Sequence, residues 1–328
     1  AGAATCLLAS RRHRRLSLST RQVLQPFQIE PINPYAAEIK ATAQQLATRQ
    51  RVLLDVSEDA TSLSKRLVEA GLPGDAADRR AWREVVCTAA GLAHLCSGVV
   101  LDDEGLRQAD GDGTALAERL RRAGVTVGVR ADAGLRPMNG FGERSTEGLT
   151  TAEERCGEFY ALGARFAKWR TEVLCSAELP TDVSVWENTS RLGHFAKSCQ
   201  KSGLAVAAEV SVVHEGKHTV ERTAYVTEKV LSQSIRHINE QDGIVEGCVL
   251  LPAMCIAGPE AAPTLLLEAV GTTLQSVRRT LPPAVPGVLP FTEGLPSLED
   301  AARHVRAFQE DAIGEPWAVA PVYGAALL

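Results

Sequence analysis

No run in the 328 residues approaches the ~18 consecutive apolar positions of a membrane-spanning helix, so the chain is not expected to cross a bilayer. No two of its eight cysteines form a C-x-x-C pair. Cys6, Cys87, Cys96, Cys156, Cys175, Cys199, Cys248 and Cys255 are irregularly spaced, and several sit in apolar runs such as Gly247-Cys248-Val249-Leu250-Leu251. That pattern fits buried free thiols in a reducing compartment, not a disulfide framework. The seven histidines are scattered, so no clustered ligand set points to a metal, and no other cofactor is expected. No G-x-G-x-x-G follows the first strand-like run, which disfavours a dinucleotide-binding fold. Acidic residues are missing from positions 1–29, which hold Arg11, Arg12, Arg14, Arg15 and Arg21. Taking those five charges from the net −5 leaves −10 on residues 30–328. An acidic body does not wrap nucleic acid, whose binders carry a basic face, so no nucleic-acid partner is expected.

What is present reads as a globular protein: 45% of residues are apolar and 23% charged. From about residue 50, short apolar β-branched runs alternate with longer amphipathic stretches. The strand candidates are Arg51–Val56, Ser97–Leu101, Thr126–Ala131, Ala164–Arg170, Leu204–Val210, Cys248–Leu251, Gly287–Phe291 and Trp317–Val322. They are near-continuously apolar, as parallel strands buried on both faces are. Helical patterns cover Thr61–Ala70, Arg80–Leu95, Thr151–Leu162, Ser184–Ser202, Val220–Glu240, Ala262–Thr280 and Leu298–Gln309. Eight alternating units predict an α/β fold, a (β/α)₈ TIM barrel over residues 49–328 behind an N-terminal extended arm of residues 1–48. Pro26, Pro31 and Pro34 favour an extended path through the arm's later part.

The arm's start is rich in Arg, Ser, Ala and Leu, like a mitochondrial transit peptide, so a matrix-side mitochondrial location is expected, with a plastid as the alternative. Its arginines suit pairing with an acidic protein surface or with lipid phosphate.

Barrel chemistry sits at the C-terminal ends of the strands. Those ends carry Ser57 and Glu58, Arg130 and Asp132, Lys168 and Arg170, Glu209, Leu251, Thr292-Glu293-Gly294, and Tyr323-Gly324-Ala325. Residues two apart on a strand share a face, so Lys168 and Arg170 point the same way.

Several segments resemble class I fructose-bisphosphate aldolases in order and spacing. They include Ser62-Leu63-Ser64-Lys65-Arg66-Leu67, Phe166-Ala167-Lys168-Trp169-Arg170, Tyr225-Val226-Thr227-Glu228-Lys229-Val230-Leu231 and Glu246-Gly247. The resemblance implies a Schiff base between a lysine on the sixth strand and the substrate ketone. That lysine position falls on Leu251, which has no nucleophile. By the same carry-over, the acid after the first strand falls on Ser57 and the third-strand lysine on Arg130. The phosphate-binding stretch after the seventh strand carries Glu293, and the phosphate-gripping arginine after the last falls on Ala325. A longer C-terminal tail is also implied where this sequence ends at Leu328. Lys168, Arg170, Glu209, Arg66 and Glu58 match family positions.

On this reading the expectation is a pseudoenzyme without intact catalytic residues. It would serve as an accessory subunit of a mitochondrial assembly, such as a respiratory-chain complex, tied to other subunits or a membrane surface by the arm. The alternatives are an aldolase or related lyase of weak or altered activity, and a metabolite-binding sensor.

Overall fold

A computed structural model describes residues 33–291 and 297–324. The apolar runs become parallel strands β1 Val52–Asp55, β2 Cys96–Leu101, β3 Thr126–Arg130, β4 Phe166–Cys175, β5 Ala205–His214, β6 Cys248–Pro252 and β7 Gly287–Val288. The eighth course, β8, has two short parts, Ala318–Val319 and Val322–Tyr323. Each strand from β1 to β7 pairs in parallel with the next. The first part of β8 pairs with β7 and the second with β1, so the ring closes as expected of a (β/α)₈ barrel.

Side chains alternate across each strand and divide the core in two. Leu53, Val100, Phe166, Ala205, Ala207, Val249, Leu251, Leu289, Ala320 and Val322 fill the barrel. The intervening residues, such as Val99, Ala167, Val206, Ala208 and Leu250, pack outward against the helices. Those helices include α1 Ala36–Leu46, α2 Ala60–Glu69, α3 Ala76–Cys87, α4 Leu116–Arg122, α5 Ala152–Ala161, α6 Asp182–Lys201, α7 Val220–Glu240, α8 Leu266–Thr280 and α9 Leu298–Asp311. Among the described residues, none is long and apolar enough to cross a membrane.

Helix α1 lies where the extended arm was expected. Its Ile39, Ala43 and Leu46 recur at helical spacing, are fully buried, and join the inner barrel cluster with Phe166 and Leu289. The helix closes the barrel's N-terminal end, and glycines let it come close. A Cβ on Gly247, just before β6, would lie 2.2 Å from Ile39 Cγ2, and one on Gly287 at the start of β7 would lie 2.4 Å from Ala47 Cβ. Ion pairs from Lys40 to Glu246 and from Arg165 to Glu38, each 2.9 Å, fasten its outer side. Residues 33–48 therefore belong to the barrel unit, and the expected boundary at residue 48 moves back to 32. The basic residues Arg11, Arg12, Arg14, Arg15 and Arg21 lie outside the described residues.

Strands β4 and β5 run on beyond their expected ends at Arg170 and Val210, paired without interruption from Phe166↔Ala205 to Cys175↔His214. With the hairpin of Leu135–Pro137 and Arg144–Thr146, they raise one side of the barrel mouth. All seven described cysteines are buried free thiols.

Candidate active site

The mouth is built by register. Lys168 on β4 lies level with Arg130 on β3 and Ala207 on β5; Arg170 lies level with Glu209, and Glu209 with Leu251 on β6. The side chains of Lys168 and Arg170 share a face and converge on Glu209. Lys168 Nζ lies 2.9 Å from Glu209 Oε2, and Arg170 Nε lies 3.5 Å from Glu209 Oε1. The ammonium also reaches across the barrel to β1, where it donates to Asp55 Oδ2 at 2.5 Å. The other oxygen of Asp55 accepts from Ser57 Oγ at 2.6 Å and from the Ser57 amide at 3.0 Å.

This is a buried ion cluster; Lys168 and Glu209 are each only 7% exposed. Burial works to push the Asp55 carboxyl up, but the Lys168 charge and the hydrogen bonds from Lys168 and Ser57 hold it below the usual carboxylate range. Burial likewise works to lower Lys168, and the charges of Asp55 and Glu209 outweigh it, so its pKa is raised and the amine stays an ammonium. Such a group has no lone pair with which to attack a carbonyl, but it can donate to an oxygen that gains negative charge.

Around this centre, Arg170 pairs with Glu172 at 2.8 Å and meets Ser211 Oγ at 3.3 Å. Glu172 also takes Arg144. Arg130 turns to its own strand end, donating to Asp132 Oδ1 from Nε at 3.0 Å and Nη2 at 2.9 Å. Arg66 and Glu58 form a 2.9 Å pair at the rim after β1. A cleft of about 360 Å³ over the β1–β3 side is lined by Ser57, Asp59, Arg130, Asp132 and Arg155, among others. Leu251 is buried in the inner apolar cluster, at the level of Glu209. Glu293 and Ala325 lie outside the described residues. The structure thus brings Lys168, Glu209 and Arg170 together; Arg130 hydrogen-bonds Asp132 and also feels the charges of Glu209 and Asp55, and Arg66 meets Glu58 at the rim.

Asp55 was not among the residues expected at the site. The family register drew attention to Ser57 as a lost carboxylate, yet Asp55 supplies one from two residues earlier, and Ser57 holds it in place. The available signal was an acid at the C-terminal end of an apolar strand.

Comparison with known proteins agrees with this geometry. The family model described as fructose-bisphosphate aldolase class-I matches residues 38–328. Cytosolic fructose-bisphosphate aldolase 5 of Arabidopsis thaliana is 35% identical over 300 residues, covering 90% of this chain and 83% of the relative. Fructose-bisphosphate aldolase C of Carassius auratus is 34% identical over 294 residues, covering 88% and 80%. The solved structure of fructose-bisphosphate aldolase from Plasmodium falciparum, in complex with TRAP and a small-molecule inhibitor, superimposes with a TM-score of 0.85 at 34% identity, covering 90% of this chain and 86% of that one. These relatives overturn the expectation of a non-enzymatic structural subunit: across nine tenths of the chain it is similar to enzymes. The expectation rested on reading the mouth as dismantled. In the structure Lys168 pairs with Asp55 as well as with Glu209, so the mouth holds a three-member ion cluster.

Proposed function

The chain belongs to the class I fructose-bisphosphate aldolase family, and from that premise we propose that it is an aldolase-related lyase of weak or altered activity, acting on a small sugar phosphate at the barrel mouth. The observation that carries the proposal is Lys168 Nζ held between Asp55 and Glu209 at 2.5 and 2.9 Å.

Aldol cleavage needs three things: a base for the hydroxyl proton, a sink for the electrons of the breaking carbon–carbon bond, and an acid to return a proton to carbon. In the family the sink is an iminium on the sixth-strand lysine, and Leu251 cannot form it. Here the sink is an enolate oxygen facing the Lys168 ammonium and the Arg170 guanidinium. A carboxylate of the cluster accepts the hydroxyl proton, the carbon–carbon pair flows into the enolate, and the same carboxylic acid returns a proton to the enolate carbon. Electrostatic stabilisation of this kind supplies less than a covalent iminium, so slow turnover is the expected outcome. Removing one such donor costs roughly 10²–10³ in rate.

The test is cleavage of fructose 1,6-bisphosphate by the purified chain, read beside borohydride trapping with dihydroxyacetone phosphate. The proposal expects slow cleavage with no lysine adduct, and a fall of about 10²–10³ in Lys168→Met. A trapped lysine adduct would refute the enolate route. Cleavage unchanged in Lys168→Met would remove the cluster from the chemistry.

A further inference from the structure

A cavity of about 670 Å³ lies apart from the mouth cluster. It lies along the last four residues of β5 and past the end of β6, at the start of α8 and beside α9. Its size falls in the roughly 300–1,000 Å³ range of small-molecule sites. Most of its wall is apolar, supplied by residues such as Val212, Ile256, Ala257, Pro263, Leu266 and Phe291. Leu265, at its rim, is 74% exposed.

The polar groups on this wall are few and carry no net charge. Arg303 is neutralised by Asp300. His214 lines the cavity and stacks on the buried His218, with ring centroids 5.3 Å apart. Burial and the neighbouring His218 push His214 down to about 4, so its ring is neutral at physiological pH. His304 is also buried, with Nδ1 2.7 Å from the Asp300 carbonyl oxygen. His214 Nδ1 and His218 Nε2 find no hydrogen-bond partner among the described residues, and a buried polar atom left so costs about 1–3 kcal/mol. Among the described residues of the lining the one arginine, Arg303, is already paired with Asp300. The charges that would suit a sugar phosphate, on Lys168, Arg170 and Arg130, lie at the mouth.

We propose that this cavity is a second binding site, for an uncharged, mostly apolar small molecule, aromatic or aliphatic, carrying one hydrogen-bonding group that the His214 imidazole orients. The apolar wall supplies the affinity, and the neutral lining excludes phosphates and other strong anions. Ser211 lies on the cavity wall and also meets Arg170, so the two sites share one residue and differ in the chemistry they select.

The test uses the full chain and N-phenyl-1-naphthylamine, a neutral aromatic amine with one N–H that fluoresces in apolar surroundings. Saturable one-to-one binding is expected, weakened at least tenfold by Ala257→Trp, which fills the cavity. Leu265→Asp at the exposed entrance folds without burying its charge and should weaken binding as well. Excess fructose 1,6-bisphosphate should leave the probe in place. Absence of saturable binding, binding unchanged in Leu265→Asp, or stoichiometric displacement by the sugar phosphate would each overturn the proposal. None of these readings depends on turnover, so the outcome stands apart from that of the lyase test.

Discussion

At the scale of single residues, the mouth is governed by one ammonium and two carboxylates. Truncating Lys168 to Met leaves Asp55 and Glu209 buried and mutually repelling. Breaking a buried pair in this way costs about 3–5 kcal/mol, so urea unfolding of Lys168→Met should show a loss of that size. A loss below about 1 kcal/mol would mean that the charges are solvated. The cluster also has a definite pH window. Asp55 sits below its ordinary value of 3.8, so its contribution is present above that pH and fades as pH falls through the folded value. Lys168 sits above its ordinary 10.5, so its contribution is present below that pH and fades as pH rises through the folded value. Melting temperatures of the wild type and Asp55→Asn should therefore differ most near neutrality and converge well below pH 3.8. A difference that persists at low pH would assign the effect to packing. Asp55 itself was legible as an acid ending an apolar strand. Its partner was not, because only closure of the barrel sets β1 opposite β4.

At the scale of elements, the strands were legible because burial on both faces demands unbroken apolar runs. Helix α1 was legible too, in the spacing of Ile39, Ala43 and Leu46, but the prolines and arginines before it drew the whole segment into an arm. Periodicity marks a helix without saying that it plugs a barrel. That role depends on Gly247 and Gly287, which precede or open distant strands. Ile39→Ala should cost about 2–5 kcal/mol in urea unfolding, as a fully buried core truncation does. A surface helix would lose less than 1 kcal/mol. Deleting residues 33–48 should expose the barrel floor and prevent cooperative unfolding; a sharp transition at the wild-type midpoint would argue against the plug. The basic residues 1–29 carry a separate expectation. Fused to a fluorescent protein, they should direct it to mitochondria, whereas a diffuse cytosolic signal would align the chain with its cytosolic Arabidopsis relative.

At the scale of the whole molecule, an aldolase-family barrel holds a leucine at the level where the resemblance places the imine lysine, while its charged centre is assembled from β1, β4 and β5. The sequence alone made the leucine conspicuous and named Lys168 and Glu209, but it left Asp55's place beside them hidden, because a substitution is local and an ion cluster is made by the fold. The most direct measurement is deuterium exchange at the carbon-bound hydrogens of dihydroxyacetone phosphate, followed by NMR in D₂O with the purified chain. It isolates proton transfer at carbon from bond cleavage. Slow stereospecific exchange by the wild type, abolished in Glu209→Gln and in Lys168→Met while both remain folded, is the result that fits. Exchange no faster than in buffer, or equal in all three proteins, would contradict the assignment of Asp55, Lys168 and Glu209 as the reacting centre.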